Sequence, residues 1–106
     1  MAWIALFFAG LLEVLWAYTM KLSDGFTRLA PAAITIIAMF ASFGLLALAM
    51  RSLPLGTAYM IWTGIGAIGA FLIGIVLLGE SVGLARVIAA LLIASGLILM
   101  KVASAD

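Results

Sequence analysis

Four long apolar runs, separated by short polar breaks, make up almost the whole of this sequence. They lie at residues 2–20, 29–50, 57–78 and 84–100. A helix needs about 17–25 apolar residues to cross the hydrocarbon core of a bilayer, and each run has about that length. The chain is therefore predicted to cross a membrane four times. Because the breaks are so short, we expect consecutive helices to be antiparallel neighbours.

The composition excludes a water-soluble fold. Of the 106 residues, 69% are hydrophobic and 8% are charged, whereas a soluble domain has about half apolar and about a quarter charged residues. In lipid the backbone must satisfy its own hydrogen bonds, which leaves only helices and closed barrels. Barrel strands alternate apolar and polar residues, and these runs do not. We expect an all-α membrane protein, with residues 1–106 forming a single four-helix transmembrane domain.

Several kinds of function lack the residues that they require. The sequence has no cysteine and no histidine, so we expect no disulfide, no soft-metal site and no cofactor. No basic run indicates a nucleic-acid partner, and no nucleophile–base pair indicates an enzyme. The first run contains a carboxylate and is too long for a typical signal-peptide core, so we interpret it as a retained first span.

The basic residues are almost evenly divided between the two ends of the predicted helices. Arg51 and Lys101 lie on the side of both termini, and Lys21, Arg28 and Arg86 lie on the other side. Because the cytoplasmic side normally carries an excess of lysine and arginine, a chain with so little bias can insert in both orientations. Four helices alone rarely enclose a solute pathway. We therefore expect an antiparallel homodimer with dual topology.

Small residues recur at helical spacing in two of the runs. Ala89 and Gly96 lie one heptad apart in the fourth run, and Gly66, Ala70 and Gly74 are spaced by four in the third. Small residues let membrane helices approach closely. Such stripes can pack helices within one chain or between two chains. Ala89 and Gly96 are the candidates for packing in the dimer.

Glu13 is the one carboxylate within an apolar run, and it lies near the centre of the first run. A charge at that depth costs at least ~2.5 kcal/mol to insert. Every lysine and arginine lies at a helix end or in a break, so no basic partner is evident at mid-depth. A carboxylate in such a place usually faces a cavity or a partner. Trp16, within one turn of Glu13, is expected to form a wall of that cavity.

The third run carries a polar and aromatic stripe. Tyr59, Trp62, Thr63 and Gly66 recur at i, i+3, i+4 and i+7, which places them on one side of a helix. The stripe can be ordinary aromatic packing, but buried tyrosine and tryptophan side chains usually find a hydrogen-bond partner. Glu13 is the best acceptor that the sequence offers.

Two other polar residues lie within or beside the runs. Ser42 is the polar side chain nearest the middle of the second run. Because serine readily bonds to its own helix at i−4, Ser42 has either this structural role or a role in the site. Lys101, at the end of the fourth run, is expected to extend to the membrane surface.

A carboxylate in an apolar cavity can hold a proton or a cation, but not both at once. Desolvation disfavours its charged form, so a proton competes with the cation, and aromatic faces attract cations. If the site opens alternately to the two sides of the membrane, the proton gradient drives cation export. In an antiparallel dimer the two openings are equivalent, because the subunits need only exchange conformations.

Five motifs follow one another along the chain: residues 10–17 (GLLEVLWA), Lys21 with residues 25–28 (GFTR), residues 54–59 (PLGTAY), residues 61–67 (IWTGIGA) and the turn at Gly79 and Glu80. Together they resemble the small multidrug resistance family, over the whole length of the chain. The resemblance implies a multi-pass protein of the cell membrane that exports small organic cations in exchange for protons, as an antiparallel homodimer. It also implies that Glu13 is shared by proton and substrate, and that Tyr59 and Trp62 line the site.

Within this family, the Glu-x-x-Trp pattern of Glu13 and Trp16 resembles the subtype that exports guanidinium. Ser42, Thr63 and Lys101 agree with that subtype. Exporters of polyaromatic cations typically have a glycine near the Trp16 position and an aromatic residue near the Met39 position, where this chain has Trp16 and Met39. A guanidinium ion suits a site with a carboxylate, because its planar group can donate two parallel N–H hydrogen bonds to the two carboxylate oxygens.

Met60 stands where the guanidinium subtype usually has a small residue. Methionine is flexible and suits promiscuous surfaces, so substituted guanidines or quaternary ammoniums with alkyl tails are possible further substrates. Three alternatives therefore stay open: a broader quaternary ammonium exporter of the same family, a component of a lipid-carrier flippase with a similar four-helix plan, and a structural membrane peptide.

Overall fold

The computed structural model describes residues 1–104, and these residues form four helices. The helices are α1 (Ala2–Leu22), α2 (Leu29–Ala49), α3 (Leu55–Leu78) and α4 (Leu84–Ala103). All four are long and apolar enough to cross a membrane. The prediction of an all-helical chain with four spans is confirmed, and each helix end lies within three residues of its predicted position.

Proline and glycine set several of the helix ends. Pro54 is the N-cap of α3, and α3 consequently begins two residues before its predicted start. Pro31 lies in the first turn of α2, where its missing N–H leaves no helical hydrogen bond unmade. Gly79 ends α3 in the left-handed conformation, with φ of 68°, which glycine adopts without a steric penalty.

The turn between α1 and α2 contains three successive residues with positive φ. Asp24, Gly25 and Phe26 have φ of 51°, 72° and 69°. Ser23, which is fully buried, stabilises the turn by accepting a hydrogen bond from the backbone N–H of Phe26 at 3.0 Å. Helix α1 ends at Leu22, and Gly25 is the middle residue of the turn.

Helix α1 lies between α2 and α3 and packs closely on both. Although α2 and α3 are consecutive, their backbones make little contact because α1 separates them. Among the helices described, the backbone of α4 approaches that of α3 alone. The expectation that consecutive helices are neighbours therefore holds for α1 with α2 and for α3 with α4, and only weakly for α2 with α3. The buried core consists of Ala5, Leu6, Ala9, Leu46, Ala49, Ala58, Ile61 and Trp62.

A buried pair of threonines joins α1 to α2. The Oγ1 atoms of Thr19 and Thr35 lie 2.6 Å apart, and Thr35 also donates to the carbonyl oxygen of Pro31 at 2.8 Å. A hydrogen bond between membrane helices contributes about 0.6 kcal/mol on average. The pair fixes α1 against α2 within about two turns of Glu13.

Helix α4 is the least buried element. None of its residues is buried, and the chain forms a slab of 44 × 34 × 16 Å. Ala89 and Gly96 are both exposed, and a methyl group added to Gly96 would meet no atom within 4 Å. In α3, by contrast, Gly66 packs against Glu13. The α3 stripe is thus used within the chain, whereas the small residues of α4 face outward.

Candidate substrate site around Glu13

Glu13 lies near the middle of α1 and packs against α3. The contact depends on Gly66, because a Cβ atom at that position would collide with the Glu13 carboxylate. The Oε1 atom of Glu13 is buried and accepts no hydrogen bond from residues 1–104. The lysines and arginines lie at helix ends and in turns, so none neutralises Glu13 at mid-depth. Buried polar atoms almost always have a partner, and this oxygen therefore indicates a position for a proton, a ligand or a group from another chain.

Trp16 carries a second unpaired polar group one turn further along α1. Its Nε1 atom is buried and donates to no acceptor in residues 1–104. The predicted place of Trp16 beside Glu13 follows from the helical spacing, but its lack of an acceptor could not be foreseen. An unpaired donor and an unpaired acceptor thus lie within one turn of each other.

Ser42 connects the three helices of the core. Its Oγ atom donates to the carbonyl oxygen of Ala9 on α1 at 2.7 Å and accepts from Nε1 of Trp62 on α3 at 2.9 Å. Ser42 therefore bonds across helices and not to its own backbone. The indole N–H of Trp62 was expected to find Glu13, but its partner is Ser42. The relative rotation of α2 and α3 decides this, and that rotation cannot be read from the spacing along one helix.

A continuous row of aromatic rings, which begins one turn after Glu13, joins α1, α2 and α3. The ring centroids of Trp16 and Phe43 lie 6.5 Å apart, those of Phe43 and Trp62 lie 5.7 Å apart, and those of Trp62 and Tyr59 lie 5.5 Å apart. Phe43 was missed in the sequence. The signal that could have found it is its place one turn after Met39 on α2.

The stripe predicted on α3 divides into two parts in the structure. Tyr59, with a half-exposed ring, packs on Trp62. Thr63 instead donates to the carbonyl oxygen of Tyr59 at 2.9 Å and, with Met60 and Gly96, lines a groove between α3 and α4. Thr63 and Met60 are therefore not brought together with the other predicted site residues. The stripe divides because Thr63 is offset by about 100° from Trp62 around the helix axis.

The chemistry available at this site suits an organic cation. Glu13 supplies an acceptor that has no partner, and the aromatic row supplies ring faces that attract positive charge. Ser42 is fully buried and uses one donor and one acceptor position in its two hydrogen bonds, which leaves one lone pair of its hydroxyl without a hydrogen bond. Met39 is half-buried on α2, one turn before Phe43, and could contact a substituent of a larger cation.

Comparisons with known proteins agree with this chemistry. The model of the family described as "Small Multidrug Resistance protein" matches residues 1–93. A guanidinium exporter of Yersinia pseudotuberculosis is 61% identical over 98% of this chain and 100% of that protein. Guanidinium exporters of Citrobacter freundii, at 55% identity over 98% of this chain and 99% of theirs, and of Proteus vulgaris, at 53% over 98% and 100%, are also similar.

These relatives are named as exporters, which are transporters and not enzymes. Their similarity extends over nearly the whole chain, and the four membrane-crossing helices agree with a multi-pass protein of the cell membrane. The chain belongs to the small multidrug resistance family.

Proposed function

We propose that this protein exports guanidinium ions in exchange for protons, with Glu13 holding the proton and the substrate alternately. The observation that carries the proposal is the buried Oε1 atom of Glu13, which has no hydrogen-bond partner and no basic residue at its depth. A carboxylate kept in that state needs a proton or a cation, because an uncompensated charge in the membrane is costly.

Guanidinium fits the groups around Glu13. Two of its parallel N–H groups can donate to the two oxygens of one carboxylate, which is the strongest geometry for this pair of ions. Its remaining donors need acceptors, and Ser42 has one lone pair to offer. The planar ion can also stack on the faces of Trp16, Trp62 and Tyr59, as guanidinium groups do on aromatic rings.

Proton coupling follows from the competition at Glu13. A protonated Glu13 binds the cation poorly, and a Glu13 that holds the cation cannot be protonated. If only these two states change the side of the membrane to which the site opens, each exported cation is exchanged for the protons that it displaces. A dimer has two copies of Glu13, so two protons return for each cation and the exchange carries a net current. The low dielectric around the site strengthens both interactions, so the exchange is tightly coupled.

We further propose that the working unit is an antiparallel homodimer with dual topology. One chain is a slab only 16 Å thick along its shortest axis, and α4 has no buried residue, so a second copy is needed to enclose the site. Ala89 and Gly96 offer the close approach that membrane helices use for packing. The nearly balanced loop charges support insertion in both orientations.

A broader range of quaternary ammonium substrates is the second candidate. It is favoured by Met60, which is 54% exposed and lines the groove between α3 and α4. A flexible thioether at this position can adapt to alkyl tails of different shape. Under this candidate Met60→Ala reduces the transport of tail-bearing cations, while guanidinium transport is unchanged. Equal transport of tail-bearing cations by both proteins would remove its basis.

The test is transport current from proteoliposomes on a solid-supported membrane, with guanidinium compared with tetrapropylammonium. We expect a guanidinium current that is lost in Glu13→Gln. The matched control is Asp24→Asn, which removes an exposed carboxylate outside the helices and suits the positive φ of that residue. A strong current from tetrapropylammonium would establish the broader exporter. No current that depends on Glu13 from either cation would overturn the transport proposal and favour the lipid-carrier alternative.

A further inference from the structure

A groove opens between α1, α3 and α4, away from Glu13. Its volume is about 360 Å³, within the range of roughly 300–1,000 Å³ that is usual for ligand pockets. Apart from one lysine, its walls are apolar or aromatic; they include Trp3, Phe7, Ile61, Ile65, Ile98 and Lys101. The transport chemistry proposed above uses none of these residues.

The mouth of the groove carries a positive charge. Lys101 lies in the last turn of α4, and its Nζ atom is 4.4 Å from the centroid of the Trp3 ring. Trp3 lies in the first turn of α1, so both residues lie at the same end of the helices. Tryptophan and lysine both favour the interface between lipid headgroups and hydrocarbon. We therefore place the mouth at headgroup depth, where Lys101 is exposed.

The body of the groove extends from this mouth toward the centre of the membrane. Helix α3 begins at Leu55 at the same end, so Ile61 lies deeper than the mouth and Ile65 lies about 6 Å deeper again. Phe7 lies one turn below Trp3 on α1. The groove thus has apolar walls at increasing depth and a single cation at its shallow end, which matches the polarity of an acyl chain below an acidic headgroup.

The groove also lies on the flank of α4 that faces away from the small residues. Ala89 and Ile98 are nine residues apart, which is about two and a half helical turns, so their side chains point in opposite directions. A second copy that packs on Ala89 and Gly96 therefore leaves this flank to the lipid. Continuous access from the bilayer is what a phospholipid requires.

We propose that this groove is a binding site for an anionic phospholipid. The phosphate of the lipid pairs with the ammonium group of Lys101, and one acyl chain lies along Phe7, Ile61 and Ile65. The positive charge at the mouth selects acidic lipids, since each lysine near the membrane surface adds a clear attraction to anionic headgroups. The rings of Trp3 and Phe7 offer flat walls to the acyl chain. The site does not depend on the proposed transport chemistry, but its access from the bilayer rests on the proposed dimer contact at Ala89 and Gly96.

The test is native mass spectrometry of the purified protein with phosphatidylglycerol and with phosphatidylcholine of the same acyl chains. Lys101→Gln removes the charge and is expected to weaken phosphatidylglycerol retention by about five-fold, while Lys101→Arg keeps it. The matched control is Arg51→Gln, which removes one exposed charge from the same end of the helices outside the groove. Ile98→Trp fills the groove and is expected to reduce the retention of both lipids.

Two results would overturn the proposal. Equal losses of phosphatidylglycerol in Lys101→Gln and Arg51→Gln would show only a general attraction to the charged surface. Unchanged lipid retention in Ile98→Trp, together with dissociation of the dimer, would show that a second copy and not a lipid occupies the groove. Loss in Lys101→Gln with retention in Arg51→Gln and Lys101→Arg supports the site, whatever the transport current of these variants.

Discussion

The hydroxyl of Ser42 is a structural link between three helices as well as a candidate ligand for the substrate. It donates to Ala9 at 2.7 Å and accepts from Trp62 at 2.9 Å. Ser42→Ala leaves the buried indole N–H of Trp62 without a partner, which costs about 1–3 kcal/mol. We expect a loss of that size in the free energy of unfolding, together with weaker guanidinium binding. Denaturant unfolding followed by tryptophan fluorescence measures the first quantity.

A double-variant cycle separates the effect of losing the hydrogen bond between Ser42 and Trp62 from the effect of losing side-chain volume. In Trp62→Phe the indole N–H is absent, so adding Ser42→Ala leaves no donor unpaired, and the second substitution should cost less than it does in the wild type. Ser95→Ala removes an exposed serine of α4 and serves as the control. Equal costs of Ser42→Ala in both backgrounds would contradict a hydrogen bond between Ser42 and Trp62.

Gly66 is the second residue on which the geometry of the site depends. A methyl group there would collide with the carboxylate of Glu13, so Gly66→Ala must displace either the side chain or the helix. Displacing a functional group by about 1 Å can reduce the rate at a reactive site by up to 10²-fold. We expect guanidinium transport to fall roughly tenfold or more. Current recordings with matched protein density test this.

The control for Gly66→Ala is Gly44→Ala in α2, where an added methyl group would meet no atom within 4 Å. Both variants replace a helical glycine in the membrane, so they share the change in helix propensity. Normal transport by Gly66→Ala, or an equal loss in Gly44→Ala, would show that contact with Glu13 is not the reason for the glycine.

The sequence predicted which candidate residues lie together better than it predicted their hydrogen-bond partners. Glu13 and Trp16 could be paired because they lie one turn apart on a single helix. The bonds of Ser42 with Ala9 and Trp62 could not be predicted, since they depend on the rotation of three helices relative to one another. The same rotation directs Thr63 to α4 and brings Phe43 into the aromatic row.

Among the elements, α4 has a different role from the other three helices. It has no buried residue and, in the described part of the chain, its backbone approaches only α3. We expect Gly96→Leu to weaken dimerisation about tenfold, or about 1.4 kcal/mol, because the added side chain blocks the close approach of a second helix. Energy transfer between protomers labelled with donor and acceptor in a bilayer measures the association.

Ser95→Leu is the matched control for Gly96→Leu. Ser95 is also exposed on α4, but it is rotated about 100° from Gly96 around the helix axis. Equal association of Gly96→Leu and the wild type would place the dimer contact elsewhere. Equal weakening by both variants would mean that bulk anywhere on α4 disturbs the helix, and not that Gly96 lies in the interface.

The bounds of the elements were predictable because lipid leaves few choices. Each helix must cover the hydrocarbon core with apolar residues, and a polar break must follow. The observed ends lie within three residues of the predicted ones, and at Pro54 the N-cap starts α3 two residues early. The use of the two small-residue stripes could not be predicted, since that depends on which helices are neighbours.

At the scale of the whole molecule, the sequence predicts four spans but not their arrangement. Short breaks require antiparallel successive helices, but they do not reveal that α1 lies between α2 and α3. That position follows from packing: Ala9, Gly10 and other small or buried residues of α1 let the neighbouring helices approach it closely. Ile65 of α3, for example, packs directly on Gly10.

Dual topology is a prediction about the whole chain in its membrane. The chain has no cysteine, so Ser52→Cys, in the exposed turn between α2 and α3, gives a single labelling site without background. We expect a membrane-impermeant thiol reagent to label roughly half of the protein from each side. As a control, Ser81→Lys with Val82→Lys adds two positive charges to the opposite end and should shift labelling to one side. Labelling of Ser52→Cys from one side alone would contradict insertion in both orientations.

The central claim, that Glu13 holds either a proton or guanidinium, is tested most directly by counting protons released as guanidinium binds. The protein is placed in detergent in weakly buffered solution, and a pH indicator follows the titration with guanidinium. We predict that binding releases protons from the wild type at acidic pH, that the release falls to zero as the pH rises and Glu13 is already ionised, and that Glu13→Gln neither binds nor releases. Guanidinium binding to the wild type without proton release at any pH would contradict the claim.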